Sequence, residues 1–335
     1  MFNEFDWVSF ATGGAASATL LWLLSKLRGS SFPPMKEFDG PTDQNEFYHN
    51  LNHVIQDLNQ LCKQNPDLTG PYLVLGNLFR IQVEIERSAD IHQNLLSDTS
   101  LPKSMLDRVH LELAKDFIAL GAEEQAKTTL QKVRDRSNVH VVAQEKLIEL
   151  YSKNEEHLKA FEAMKLILKK KGTWRNRKRA SIFLSEHAKS LFESGNLPEA
   201  RKAIKEALSY DKRSVTALYY QGMIELETKN YASAIKPLSE VIRIKPEYSF
   251  LALPKIEDAY YGKQSFMEFG KLLEELREEF PEEPMIGVAL GRFYRKKKNF
   301  SAAEETLQDA VEISKTHEVA FEELLTLYEE TEKPG

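Results

Sequence analysis

The stretch VTALYYQGMIELETKNYASAIKPLSEVIRIKP, residues 215–246, decides the fold. Its apolar and small residues recur at threes and fours, the spacing of one helix face. Gly222, Tyr231, Ala234, Leu238 and Pro246 mark a pattern that returns elsewhere in the chain. Residues 284–310 repeat it with Leu290, Gly291, Tyr294, Phe300, Ala303 and Leu307. Residues 111–133 carry Ala114, Phe117, Gly121, Ala126 and Leu130, and residues 184–207 carry Ala188, Gly195, Ala200 and Ile204. A weaker copy surrounds Tyr151 and Ala160, and a degenerate one surrounds Tyr261 and Phe269. Each copy reads as two antiparallel helices. The small residue at the eighth position lets the first helix approach the second, and the alanine at the twentieth serves the same crossing. Neither helix buries its apolar face alone, so neighbouring pairs must stack.

A 34-residue period of helix pairs is the tetratricopeptide (TPR) pattern. The expected fold is all-α, a right-handed superhelical TPR solenoid of seven or so hairpins over residues 43–335. The stretch LVLGNLFRIQVEIERSADIHQNLL, residues 73–96, belongs to the same array. Gly76 is the small residue of its repeat, with Leu75, Phe79 and Ser88 as companions, and leucine there overpacks the crossing by about 1–3 kcal/mol. His92 falls where a large buried side chain is usual, so it reads as a core histidine.

The chain has 335 residues, 42% of them apolar and 29% charged, which marks a globular protein. A net charge of −6 argues against a general nucleic-acid binder. Cys62 is the one cysteine, so neither an internal disulfide nor a four-cysteine zinc site can form from these residues. Residues 7–24 hold no charge across 18 positions. As a helix they extend about 27 Å, near the hydrocarbon thickness of a bilayer. Trp7 and Trp22 sit near the ends, Glu4 and Asp6 precede the segment, and Lys26 and Arg28 follow it. A transmembrane anchor is expected, with the C-terminal side in the cytoplasm. A cleaved signal peptide needs a basic start, and this one is acidic. Gly13, Gly14 and Ser17 offer small faces for helix contact within the bilayer. Residues 25–42, rich in proline, glycine and serine, read as a flexible linker.

GNLFR, with ERSADIHQNLL after it and DFIALGAEEQAKTTLQKV further on, resembles the lipopolysaccharide assembly protein B family. The similarity in order of parts runs over roughly residues 7–330 and is most specific at 73–133. It implies an inner-membrane helix, a cytoplasmic TPR array, and an adaptor that presents the committed deacetylase of the lipid A pathway to a membrane-bound AAA protease. Lipopolysaccharide synthesis is thereby restrained. The family also has a C-terminal rubredoxin-like zinc domain, whose paired C-x-x-C knuckles are absent from these residues.

No phosphate-loop, dinucleotide, zinc-protease or nucleophile-elbow motif is present. The expectation is a non-enzymatic adaptor without cofactor, acting on protein partners. A general scaffold for another cell-envelope complex is the alternative. A remote alternative is metal binding by the helix face of Glu46, His49, His53 and Asp57. Residues 169–179 carry seven cations, Lys169, Lys170, Lys171, Arg175, Arg177, Lys178 and Arg179, around Trp174. They are expected as a loop between repeats, suited to anionic lipid or an acidic partner, with RNA stacking on Trp174 a weaker option. Six glutamates in residues 318–332 point to a solubilising cap helix. Positions two, five, nine and twelve of each first helix face the concave groove of such arrays. Here these include Asn77, Arg80, Lys115, Lys189, Tyr219, Met223, Arg292 and Arg295, a cationic surface for a peptide partner.

Overall fold

A computed structural model of the protein describes residues 44–99 and 101–331. The expected membrane helix at 7–24 and linker at 25–42 lie outside these residues. Among the described residues no helix is long and apolar enough to cross a membrane. All regular structure there is helical, and the helices fall into two compact units that meet in sequence between Glu155 and Glu156.

The N-terminal unit holds α1 (Gln44–Gln64), α2 (Thr69–Ile81), α3 (Ile85–Ser97), α4 (Lys103–Ala119), α5 (Glu123–Gln131) and α6 (His140–Lys153). Leu51, Val54, Ile55, Leu58 and Cys62 form the buried stripe of α1 and pack against Leu75, Leu78 and Phe79 of α2. That spacing of three and four is why the polar first helix docks at all.

The C-terminal unit holds α7 (His157–Lys170), α8 (Trp174–Glu193), α9 (Leu197–Tyr210), α10 (Val215–Glu227), α11 (Tyr231–Ile244), a 3₁₀ turn (Pro246–Tyr248), α12 (Ser249–Gly262), α13 (Phe266–Glu279), α14 (Pro284–Lys296), α15 (Phe300–Ile313) and α16 (Glu318–Glu330). The hairpins α8/α9, α10/α11, α12/α13 and α14/α15 are those the sequence marked. Leu238, Val241 and Ile242 of α11 share one core with Ile256 of α12 and Leu273 and Leu276 of α13. The crossing works as the repeat pattern requires. Gly222 lies directly under the Leu238 side chain, and a Cβ there would collide with it. Ala320 and Leu327 of α16 close the far end against Val288, Ala310 and Leu307.

The turns inside the hairpins share one device. The second residue past the first helix adopts a left-handed conformation, and the next amide bonds five residues back, as in Glu84 N to Phe79 O (2.9 Å) and Asn196 N to Leu191 O (2.8 Å). Glycine fills this place at Gly121 and Gly195, but Val83 holds it with φ of 66°. A β-branched residue there carries a cost of roughly 1–2 kcal/mol. Glycine removes that cost and returns part of it as unfolded-state entropy, about 0.4–1 kcal/mol. Val83 is 74% exposed, so its side chain contributes little packing. Val83→Gly is expected to stabilise the N-terminal unit by a net ~0.5–1 kcal/mol, seen as a raised denaturation midpoint. A lowered midpoint would contradict the assignment of strain to this turn.

Candidate functional site

The structure places Gly76, Asn77 and Arg80 on α2 beside a buried polar cluster drawn from the next two helices. Ser88 and His92 come from α3, and Glu112, Lys115 and Asp116 from α4. His92 and Asp116 are fully buried. The His92 Nδ1 lies 2.5 Å from Asp116 Oδ2, and its Nε2 is 3.3 Å from the Leu73 carbonyl. The other Asp116 oxygen accepts from Ser88 Oγ and from an Arg80 guanidinium nitrogen, each at 2.7 Å. Arg80 donates further to Asn77 Oδ1 (2.7 Å), Glu112 Oε2 (2.5 Å) and the Glu112 carbonyl (3.1 Å). Lys115 donates to the second Glu112 oxygen at 2.7 Å. Burial works against the Glu112 carboxylate, yet Lys115 and Arg80 hold it below the usual carboxylate range.

Asn77, Arg80 and Lys115, read from the sequence as groove residues, are therefore joined to one another and to buried acids. Arg80 spends its fork inside the array, tying α2 to α4. His92 is the core histidine expected: a Cβ on Gly76 would sit 2.5 Å from its Nε2. The reading missed Glu112 and Asp116, which belong to the next repeat, and nothing in the local pattern around Arg80 points to them.

The C-terminal unit divides its groove cations in two. Arg292 pairs with Glu323 at 2.6 Å, and Arg295 pairs with Glu323 and Glu330 at 3.0 Å each. The acidic helix α16 thus neutralises them. Lys189 and Tyr219 instead line an open groove of about 930 Å³. Met223 is half-buried on α10 beyond that lining. Trp174, Arg177 and Lys178 of the basic stretch reach the same groove, which corrects the expectation of a loop. Lys169 and Lys170 end α7, and Trp174, Arg175, Arg177, Lys178 and Arg179 open α8, leaving only Lys171, Gly172 and Thr173 between. The reason is a cap: Thr173 Oγ1 accepts from the Asn176 amide at 3.3 Å, after which nothing in WRNRKRA breaks a helix.

Residues the sequence did not single out also line it, among them Tyr210, Arg213, Tyr220, Lys245 and Tyr248. All but Tyr220, which lies inside α10, come from helix ends and turns, where repeat periodicity is silent. Burial, then Glu193, Tyr219 and Glu186, push the Tyr220 phenol up to about 12, and burial also raises Tyr219. Both remain neutral hydrogen-bond donors at physiological pH. Of the proposed metal face, Glu46, His49, His53 and Asp57 all lie on α1. Among the described residues no three ligating side chains cluster as a metal site.

Stacked hairpins with a glycine or alanine at each crossing define a TPR solenoid protein. A tetratricopeptide-repeat family model matches residues 185–249, and a second matches residues 288–317. The chain is similar to lipopolysaccharide assembly protein B of Escherichia coli strain K12, 25% identical over 219 residues that cover 65% of this chain and 56% of that protein. The same protein of Haemophilus influenzae is 27% identical over 190 residues, covering 56% of this chain and 47% of the relative. The chain thus spans about half the length of the curated relatives it matches. A solved TPR protein from Parabacteroides merdae aligns at 13% identity and a TM-score of 0.34, over 77% of this chain and 98% of that one.

Proposed function

We propose that the protein is a non-enzymatic adaptor of lipopolysaccharide assembly, held at the inner membrane by residues 7–24 with its TPR array in the cytoplasm. In this reading it presents the lipid A pathway deacetylase to a membrane-bound AAA protease. The relatives' names and the repeat fold support the role. The observation that carries it is the open groove of α8 and α10, where Lys189 and Tyr219 face a space of about 930 Å³ lined by tyrosines and cations. Aromatic and arginine side chains on a concave face are what protein recognition uses.

Crosslinking in native membranes followed by mass spectrometry tests the proposal. The protease should be captured through the N-terminal segment and the deacetylase through the array. A Lys189→Glu, Tyr219→Ala double variant should lose the deacetylase while keeping the protease. Capture of neither, with deacetylase abundance unchanged on deletion of the protein, would overturn the lipopolysaccharide role.

A further inference from the structure

The helix α8 runs for 20 residues, whereas α10 and α14, its counterparts in later repeats, have 13. The excess lies at its N-terminal end and carries Trp174, Arg177 and Lys178. This overhang forms part of the groove wall, together with the rest of α8, the first turns of α10, the turn from α9 to α10 and the end of α11. Trp174 is 69% exposed and Ile182, two turns on, is 47% exposed. Trp174 and Ile182 thus add exposed apolar surface to the cations of the groove, so the lining offers both charge and apolar contact.

The charge of the groove is unbalanced. Arg177, Lys178, Lys189, Arg213 and Lys245 line it against Glu186 and Asp211. Asp211 is engaged in its own turn, accepting from the Arg213 amide at 2.9 Å. Lys245 lies 3.6 Å from Glu247. The side-chain charges of Arg177, Lys178, Lys189 and Arg213 meet no carboxylate among the described residues. The contrast lies within the same array: Arg80, Lys115, Arg292 and Arg295 are all neutralised by neighbouring acids. Four cations outside any ion pair, against the single Glu186 carboxylate left in the lining, raise the local potential and favour an anionic occupant.

From this we infer that the groove binds an extended acidic segment of a protein partner. Its carboxylates meet Arg177, Lys178 and Arg213, and an aliphatic or aromatic side chain seats against Tyr219 and Ile182. The inference rests on the adaptor reading and specifies the chemistry of the segment presented. A bilayer surface would meet the exposed cations but not Lys189 and Tyr219, which are half-buried in the groove. Nucleic acid fits poorly with a chain of net charge −6 and with Glu186 in the lining.

Displayed random dodecapeptides selected on the full-length protein in detergent micelles provide the test. Recovered peptides should be rich in Asp and Glu interleaved with apolar residues. A recovered peptide, labelled for fluorescence anisotropy, should bind roughly tenfold more weakly to Arg177→Glu, Arg213→Glu protein, and more weakly as salt rises. The milder Arg177→Gln, Arg213→Gln pair should weaken binding less but in the same direction. Lys229→Glu, an exposed cation outside the groove, should leave it unchanged. The inference is overturned if recovered peptides carry no acidic excess, or if the charge-reversed protein binds them equally well. It is also overturned if oligouridine or phosphatidylglycerol vesicles show the charge-reversal sensitivity and acidic peptides do not. Failure here with partners still crosslinked in native membranes would remove this groove alone and leave the adaptor reading standing.

Discussion

Asp116→Ala should destabilise the N-terminal unit by about 3–5 kcal/mol, the loss expected when one partner of a buried ionic network is removed. Its carboxylate accepts from Arg80 and Ser88 and meets His92 at 2.5 Å, in a site with no exposure. Alanine leaves the Arg80 guanidinium with one acid fewer and strands two buried polar groups. The corresponding positions of later repeats show what an apolar solution looks like. Leu226 and Leu238 stand where Arg80 and His92 stand here, and Ala259, in the repeat that follows theirs, stands where Asp116 does. An Arg80→Leu, His92→Leu, Asp116→Ala triple variant should therefore lose less stability than the single variant, because it no longer leaves His92 and Arg80 without their acid. Chemical denaturation gives the magnitude, and hydrogen exchange places it, with lost protection centred on α2, α3 and α4. A single variant as stable as the original, or a triple variant worse than the single, would show that the network does not hold these helices.

Leu238→Ala should cost the C-terminal unit about 2–5 kcal/mol. Leu238 is fully buried and caps Gly222 at the α10/α11 crossing, among Val241, Ile242 and Ile256. The void left behind is bordered on one side by a glycine, which has no side chain to move into it, so the loss should fall in the upper part of that range. The same geometry sets a sign test. Gly222→Ala alone should destabilise, because its new methyl group meets the leucine. In the Leu238→Ala background it should stabilise by filling the void. A double-mutant cycle with additive effects would contradict the contact.

The legible part of the sequence was whatever repeats. Gly222 with Leu238 and Gly291 with Leu307 recur at one spacing because every hairpin must solve the same crossing, so the all-α array and its crossings could be read directly. His92 was legible for the same reason: it stands 16 residues after Gly76, as Leu238 stands 16 after Gly222. The candidate site was legible only in part. Lys189 and Tyr219 follow from the groove positions of the repeat. Arg213 and Tyr248 sit outside the periodic positions, and the helical start at Trp174 depends on a single threonine cap.

By itself, then, the sequence determined the helical hairpins and their small-residue crossings, properties of short-range periodicity, and nominated a set of cations for the groove. Only the tertiary structure decided which of those cations are available. Arg80 meets Asp116 from 36 positions away, and Arg295 meets Glu330 from 35. These separations bring together acids and bases from neighbouring repeats, and they arise from stacking rather than from any local motif. An ion pair needs both partners within about 4 Å, a condition that a linear pattern of charges does not encode. Arg177 and Lys178 of the α8 overhang stay open because, among the described residues, stacking brings no carboxylate to them.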